Sequence, residues 1–226
     1  TFRRQRQMCI RDRGKLPWSS KINWLFPADD TRTDKSFREG PGDLDTAIPM
    51  LLPHLSGRRT CIQAGACLGI WPLRLSQFFE RVVTFEPEYT NYFCAVCNLC
   101  HLDNVEVHHA ALGDDSNTTA RMRLDVAEKG NSGAHYCVPD GDIPVMVIDE
   151  MNLPDVDLIY LDVEGSEAPA LVGATDTIMR CRPVIGVEDK NLYLKRNNPS
   201  PGEILLHFGY KSIGRPFALD DLWIPQ

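Results

Sequence analysis

Apolar residues along this chain fall into short runs bounded by charged and turn-forming positions, and the period within each run predicts its element. Thr60-Cys61-Ile62-Gln63 and Val82-Val83-Thr84-Phe85 are compact apolar runs of the kind a strand covered on both faces requires. Val156 to Leu161 and Pro183 to Glu188 read the same way, while Asn104 to Ala110 alternates. Helical spacing predicts helices over about 70–79, 88–101, 166–181 and 201–208. An earlier helix, Asp43 to Leu55, places Ile48, Leu51, Leu52 and Leu55 on one face, with Asp43 or Asp45 as cap. Pro49 fits its first turn and Pro53 disturbs its end. Thr119 to Leu124 and Val145 to Ile148 predict two further short strands, flanking a Gly/Asp/Asn-rich loop over 125–142. Strands near 210–214 and 221–225 are joined by a link too short for a crossover helix, so they predict a closing hairpin with one antiparallel strand. Strands and helices alternating in this rhythm predict an α/β fold: a doubly wound, mostly parallel sheet with helices on both faces.

The chain has 226 residues, enough for one α/β domain with a substantial core. Five arginines within residues 1–13 make that stretch basic, so the body is more acidic than the formal net charge of −7. Residues 1–13 resemble an artefactual or disordered leader and are set apart from the fold. Residues 14–42, rich in Pro, Asp, Arg and Gly with Trp18, Trp24 and Phe26 among them, predict an irregular N-terminal arm. The main domain is expected over 43–226. The acidic balance disfavours DNA as a partner. No run of about 18 apolar residues is present, so no membrane span is expected. The eight cysteines, without signs of secretion, fit reduced thiols in a cytoplasmic compartment. Cys94, Cys97 and Cys100 form C-x-x-C-x-x-C, but on a predicted helix they read as small apolar residues, and no metal is assigned.

Candidate chemistry begins where the first strand meets Ala64-Gly65-Ala66-Cys67-Leu68-Gly69. This is G-x-x-x-G, without the middle glycine that lets backbone amides close on a pyrophosphate. The second strand ends on Glu86, placed to take two ribose hydroxyls; its bland alternative is a solvated strand end or a capping acid. A nucleoside ligand without phosphates fits both features, and S-adenosylmethionine is such a ligand. Leu161-Asp162-Val163-Glu164-Gly165-Ser166-Glu167 adds carboxylates at the end of a core strand, where open α/β sheets bind ligands. Asp162 and Glu164 should emerge on one side and Gly165 should permit a sharp exit, whereas Glu167 can simply favour a helix N-terminus.

With these pieces in order, the chain resembles the FkbM family of class I S-adenosylmethionine-dependent methyltransferases. The matching residues are Gln63 to Gly69, Phe85-Glu86-Pro87 with Asn91 and Asn98, Ala110 to Asp114, and Asn131-Ser132-Gly133. Leu161 to Glu167, Leu171 to Ala174 and Pro183 to Glu188 complete the match, which covers about residues 44–224. The resemblance implies a Rossmann-like sheet of seven strands with the last antiparallel. It also implies S-adenosylmethionine as cofactor and methyl transfer to a hydroxyl of a sugar, glycan or other small metabolite. By position, Gly65, Ala66 and Gly69 would cradle the methionine portion, with Gln63 beneath them. Glu86 would hold the ribose with Asn91 nearby, Ala110 and Ala111 would border the adenine, and Asp162 would face the methionine end. Two departures stand out: Gln63 lies where many class I enzymes carry an acid, and Cys67 replaces the usual Asn or polar residue.

An alcohol is a poor nucleophile near neutrality, so a general base would help the transfer. Candidates are Glu164, His135 in the loop after Asn131-Ser132-Gly133, and Asp189 after the 183–188 strand. His108 and His109 lie on a strand and are not assigned to a metal. Asp162-Val163-Glu164-Gly165 lacks the prolines and aromatic with which amino-directed DNA methyltransferases grip a flipped base. Two rivals remain: a nicotinamide-dependent oxidoreductase, whose ribose Glu86 would also suit, and an inactive module that binds S-adenosylmethionine without turnover.

Overall fold

The computed structural model describes residues 24–31, 44–124, 126–189, 199–217 and 220–226. Residues 1–13, Trp18 and most of the 14–42 arm therefore lie outside the described residues. Seven strands form the main sheet: β1 Thr60–Ala64, β2 Arg81–Phe85, β3 Val105–His108, β8 Leu158–Leu161, β9 Val184–Glu188, β10 Tyr210–Phe217 and β11 Asp220–Pro225. Their spatial order is β10-β11-β9-β8-β1-β2-β3. The five strands from β9 to β3 run parallel, and β11 enters antiparallel between β9 and β10. The doubly wound sheet with an antiparallel last strand is thus as expected, down to the closing hairpin.

Period-two alternation in the central strands divides the interior into two cores. Cys61, Val82, Leu158 and Tyr160 face one side, packed with Leu51 of α1 (Leu44–Leu51), Leu75 of α2 (Ile70–Leu75) and Ala95 of α3 (Tyr89–Leu99). Ile62, Val83, Ile159 and Leu161 face the other, against Leu171 of α4 (Glu167–Val172), Ile178 of α5 (Thr175–Cys181) and Leu205 of α6 (Pro201–His207). Each fully buried aliphatic side chain contributes about 1.5–3 kcal/mol, so β1 and β8, buried at every position, anchor both layers. Cys94 and Cys97 lie within the first core, and Trp24 is there too, only 6% exposed. At the opposite end from the crevice, the buried Asp157 carboxylate takes Arg59 N and Nε and holds the chain entering β1.

Several boundaries differ from those the pattern predicts, each for a tertiary reason. The expected helix 166–181 is two helices, α4 and α5. Gly173 at the break packs so closely that an added Cβ would lie 2.1 Å from the Gly113 carbonyl oxygen. Asp149, remote in sequence, accepts from the N–H groups of Asp176 and Thr177 and so caps the start of α5. The first helix stops at Leu51 and continues as a 3₁₀ turn, Leu52–His54, around Pro53. Pro49 sits inside α1 rather than in its first turn. The 125–142 segment is not all loop. It carries β6 (His135–Pro139), which joins β4 (Ala111–Leu112), β5 (Thr119–Leu124) and β7 (Ile143–Met146) in a second sheet ordered β4-β7-β5-β6. The strand expected over 145–148 is accordingly displaced to 143–146. Among the described residues, no helix is long and apolar enough to cross a membrane.

The exit from β8 is held by a buried acid. Glu164 and Gly165 both adopt positive φ, 50° and 91°, which turns the chain sharply. Glu167, 5% exposed, folds back so that one carboxylate oxygen accepts from Val163 N and Gly165 N, both at 3.1 Å. Burial lifts the pKa of Glu167 from 4.5 to about 7, with the amide hydrogen bonds pulling the other way. The folded state therefore holds this proton more tightly than the unfolded chain, and its contribution to stability declines as pH rises from 4.5 through about 7. Glu167→Gln keeps an acceptor for the two amides but removes the buried charge. The variant should match the parent near pH 5 and exceed it by about 1–3 kcal/mol near pH 8, read from urea midpoints at the two pH values.

Candidate functional site

At the C-terminal edge of the sheet β1 and β8 lead to opposite sides, the switch point at which open α/β sheets form a ligand crevice, and the turn Gly65–Gly69 lies at that point. Gly65 has φ 83°, and a Cβ there would sit 1.8 Å from the Asp162 carbonyl oxygen. Only glycine lets the turn pass this close to the β8 exit. Gly65 N and Ala66 N both donate to Phe85 O, at 3.1 and 3.0 Å, and Gly69 N donates to Ala66 O. Cys67 N donates to the Glu86 carboxylate at 2.7 Å. The turn's amides are thus turned inward onto β2 and onto the turn itself. Cys67 has φ 47°, in the left-handed region where Asn is the more comfortable non-glycine residue.

Glu86, 4% exposed, is the centre of this arrangement. One oxygen takes Cys67 N and the other takes Glu88 N at 2.9 Å, so one carboxylate joins the turn, the end of β2 and the start of α3. Burial pushes its pKa from 4.5 to about 8, against the pull of the two amides and of the Asn91 side chain. Glu88 caps α3, accepting from Asn91 N. Asn91, 2% exposed, donates its side-chain N–H to Ser132 O at 2.7 Å, leaving its Oδ1 buried without a hydrogen-bond partner.

Gln63 lies fully buried beneath the turn. Its amide nitrogen donates to Ala64 O and Gly65 O, and Thr84 Oγ1 donates to its Oε1. A carboxylate at this position would face two carbonyl oxygens with no proton to offer, so an amide is what the local geometry accepts. Ala110 and Ala111, 1% and 5% exposed, follow β3 where Glu86 N donates to His108 O. His109 stacks on Tyr92 with ring centroids 4.8 Å apart, and His108 stacks on Phe85.

Across the crevice, Asp162 and Glu164 do emerge together, and Glu188 at the end of β9 joins them. Their carboxylate oxygens lie within 4.8 Å of one another. Asp189 follows Glu188 and faces Arg215 at 3.4 Å. His135 starts β6 rather than sitting in a loop, because pairing with β5 orders that segment. Its Nδ1 lies 3.1 Å from Ser132 O, and since a carbonyl can only accept, Nδ1 carries a proton, which in the neutral ring leaves the lone pair on Nε2. Burial and the nearby charges of Glu86, Asp30 and Asp162 raise the Cys67 thiol pKa well above its ordinary value. Sequence reasoning passed over Asp30, Glu188 and the hub role of Ser132; only the Asn131-Ser132-Gly133 motif hinted at the last.

Comparison with known proteins places this geometry in a family. Residues 63–212 match the model of the methyltransferase FkbM domain. An FkbM methyltransferase from Methylobacillus flagellatus KT is 21% identical, with a TM-score of 0.48, over 73% of this chain and 43% of its own. This chain therefore spans less than half of that relative. A methyltransferase from Geobacter sulfurreducens is 14% identical over 80% of this chain and 78% of its own, with a TM-score of 0.47. A precorrin-6y C5,15-methyltransferase from Geobacter metallireducens GS-15 is also 14% identical, over 78% and 83% of the two chains, with a TM-score of 0.44. No curated protein matches the chain. The family match alone covers well over half of the residues, including both the glycine turn and the β8 exit: the chain belongs to the FkbM methyltransferase family.

Proposed function

We propose that this protein binds S-adenosylmethionine in the crevice over Gly65–Gly69 and transfers its methyl group to a hydroxyl of a sugar, glycan or other small metabolite. The observation that carries the reading is the electrostatic character of the turn. Glu86, Asp30 and Asp162 all bear on Cys67, while the amides of Gly65, Ala66 and Cys67 are already spent on Phe85 O and Glu86. A pyrophosphate needs free N–H donors at such a turn, and these three amides are not free. A ligand with a sulfonium and an ammonium is favoured by the same charges. This disfavours the nicotinamide-dependent oxidoreductase.

Within that reading, Gly65, Ala66 and Gly69 shape the turn beneath the methionine portion, and Gln63 supports it from below. Glu86 takes the ribose hydroxyls, backed by Asn91; Ala110 and Ala111 border the adenine; Asp162 faces the methionine end. S-adenosylmethionine supplies the activated methyl group. The chain's own part is to hold the acceptor oxygen in line with it and to keep competing water away. His135 Nε2, with its tautomer set by Ser132 O, and Glu164, in the acidic group on the β8 exit, are better placed as bases than Asp189, which faces Arg215. The seven cysteines of the described residues are free thiols, which suits a reducing, cytoplasmic compartment.

Because ribose hydroxyls donate to the ionised acid, cofactor affinity should strengthen by about tenfold in all between about pH 6 and 8, levelling above the Glu86 pKa of about 8. In Glu86→Gln, binding should weaken by about tenfold near pH 8 and lose that slope. Affinity independent of pH in the parent protein would place the ribose elsewhere. Turnover is read by release of S-adenosylhomocysteine across a panel of hydroxylated acceptors. With an active acceptor, His135→Gln or Glu164→Gln should lower kcat by about 10²–10⁴ with little change in cofactor affinity, whereas Asp189→Asn should not. No release with any acceptor would instead favour an inactive binding module.

A further inference from the structure

The segment Trp24–Thr31 reaches the site from the far end of the chain and is fastened at both of its ends. Trp24, Leu25 and Phe26 are all under 10% exposed and enter the core against α3. There Asn98 works as a double clip. Its Oδ1 accepts from Leu25 N at 2.6 Å, and its amide nitrogen donates to Leu25 O and to Leu68 O of the glycine turn. At the other end, Thr31 N donates to Gly130 O at 2.9 Å, and Ser132 N donates to the Asp30 carboxylate at 3.3 Å. The crossing leaves no room at Gly130, where an added Cβ would lie 2.8 Å from Thr31 Oγ1.

Ser132 passes this fastening inward. Its carbonyl takes both the Asn91 side-chain N–H and the His135 Nδ1–H, the first beside Glu86 and the second in the candidate base. Asp30 also lies close enough to Cys67 for its charge to bear on that thiol. The segment thus runs from the glycine turn past Cys67 to the loop that orients two site residues.

We infer that Trp24–Thr31 is a strap forming the outer wall of the cofactor site, and that Asp30, acting through Ser132, is a positioning residue for Asn91 and His135. This rests on the reading of the crevice as the S-adenosylmethionine site, but the strap itself can be tested without any ligand. Hydrogen exchange of the ligand-free protein should show the Thr31 and Ser132 amides protected, and faster exchange at both in Asp30→Ala and Gly130→Ala. Unchanged exchange would overturn the latch whatever the protein binds.

Calorimetric titration with S-adenosylmethionine and with S-adenosylhomocysteine then separates positioning from charge. Asp30→Ala and Gly130→Ala should weaken both ligands equally, by about fivefold or more relative to the parent protein, as loss of a partly buried hydrogen bond predicts. Asp30→Asn keeps the acceptor for Ser132 N and should restore binding. Asp142→Ala, at an exposed carboxylate between β6 and β7 and outside the strap, should leave affinity unchanged. A loss confined to the sulfonium ligand and not restored by Asn would make Asp30 a direct charge contact and overturn the positioning role. Failure of the parent protein to bind either ligand would refute the cofactor reading, while the exchange result would still decide the latch.

Discussion

One buried carboxylate organises the upper edge of this protein. Glu86 ends β2, and its two oxygens take the N–H groups of Cys67 and Glu88, one from the glycine turn after β1 and the other at the cap of α3. Without it, the turn's Cys67 amide and the Glu88 amide at the start of α3 would both lose their acceptor. The acid carries a cost, since burial raises its pKa to about 8. A titratable acid held this far from water is maintained where a ligand or a constraint uses it. In this molecule the constraint is visible in the two amides, and the crevice beside it offers the use.

The rest of the site is arranged around that acid by elements whose placement the sheet dictates. Two-sided burial of β1 and β8 brings the glycine turn against the β8 exit, so closely that Gly65 meets the Asp162 carbonyl. The β8 exit is in turn shaped by Glu167, a second buried acid that works on backbone amides alone. Glu86 and Glu167 therefore do comparable structural work on opposite walls of one crevice, and carboxylates collect between them from β8 and β9. A wall bearing three carboxylates suits a cation better than a phosphate.

Much of this was legible in the chain because the signals are local. Alternation in Cys61-Ile62 and Leu158-Ile159-Tyr160-Leu161 reports the two cores directly, and G-x-x-x-G with a strand-terminal acid reports the crevice. What escaped depends on partners far away in sequence. The break between α4 and α5 is fixed by Gly113 and Asp149, and within 166–181 only Gly173 hints at it. His135 reads as a loop residue because its strand exists only through pairing with β5. Gln63 looks like a loss when compared with an acid, yet the carbonyls of Ala64 and Gly65 above it demand a donor. Asp30 meets Ser132 across 102 residues, a separation at which periodicity is silent.

The cofactor proposed for the turn at Gly65–Gly69 is a cationic nucleoside rather than a dinucleotide. The most direct measurement is calorimetric titration of the intact chain with S-adenosylmethionine and, separately, with NAD. Saturable one-to-one binding of S-adenosylmethionine at micromolar concentrations, with no heat from NAD, is the predicted result. Binding of NAD in preference to S-adenosylmethionine would contradict it, because the amides held by Phe85 and Glu86 would then have to be released to phosphates.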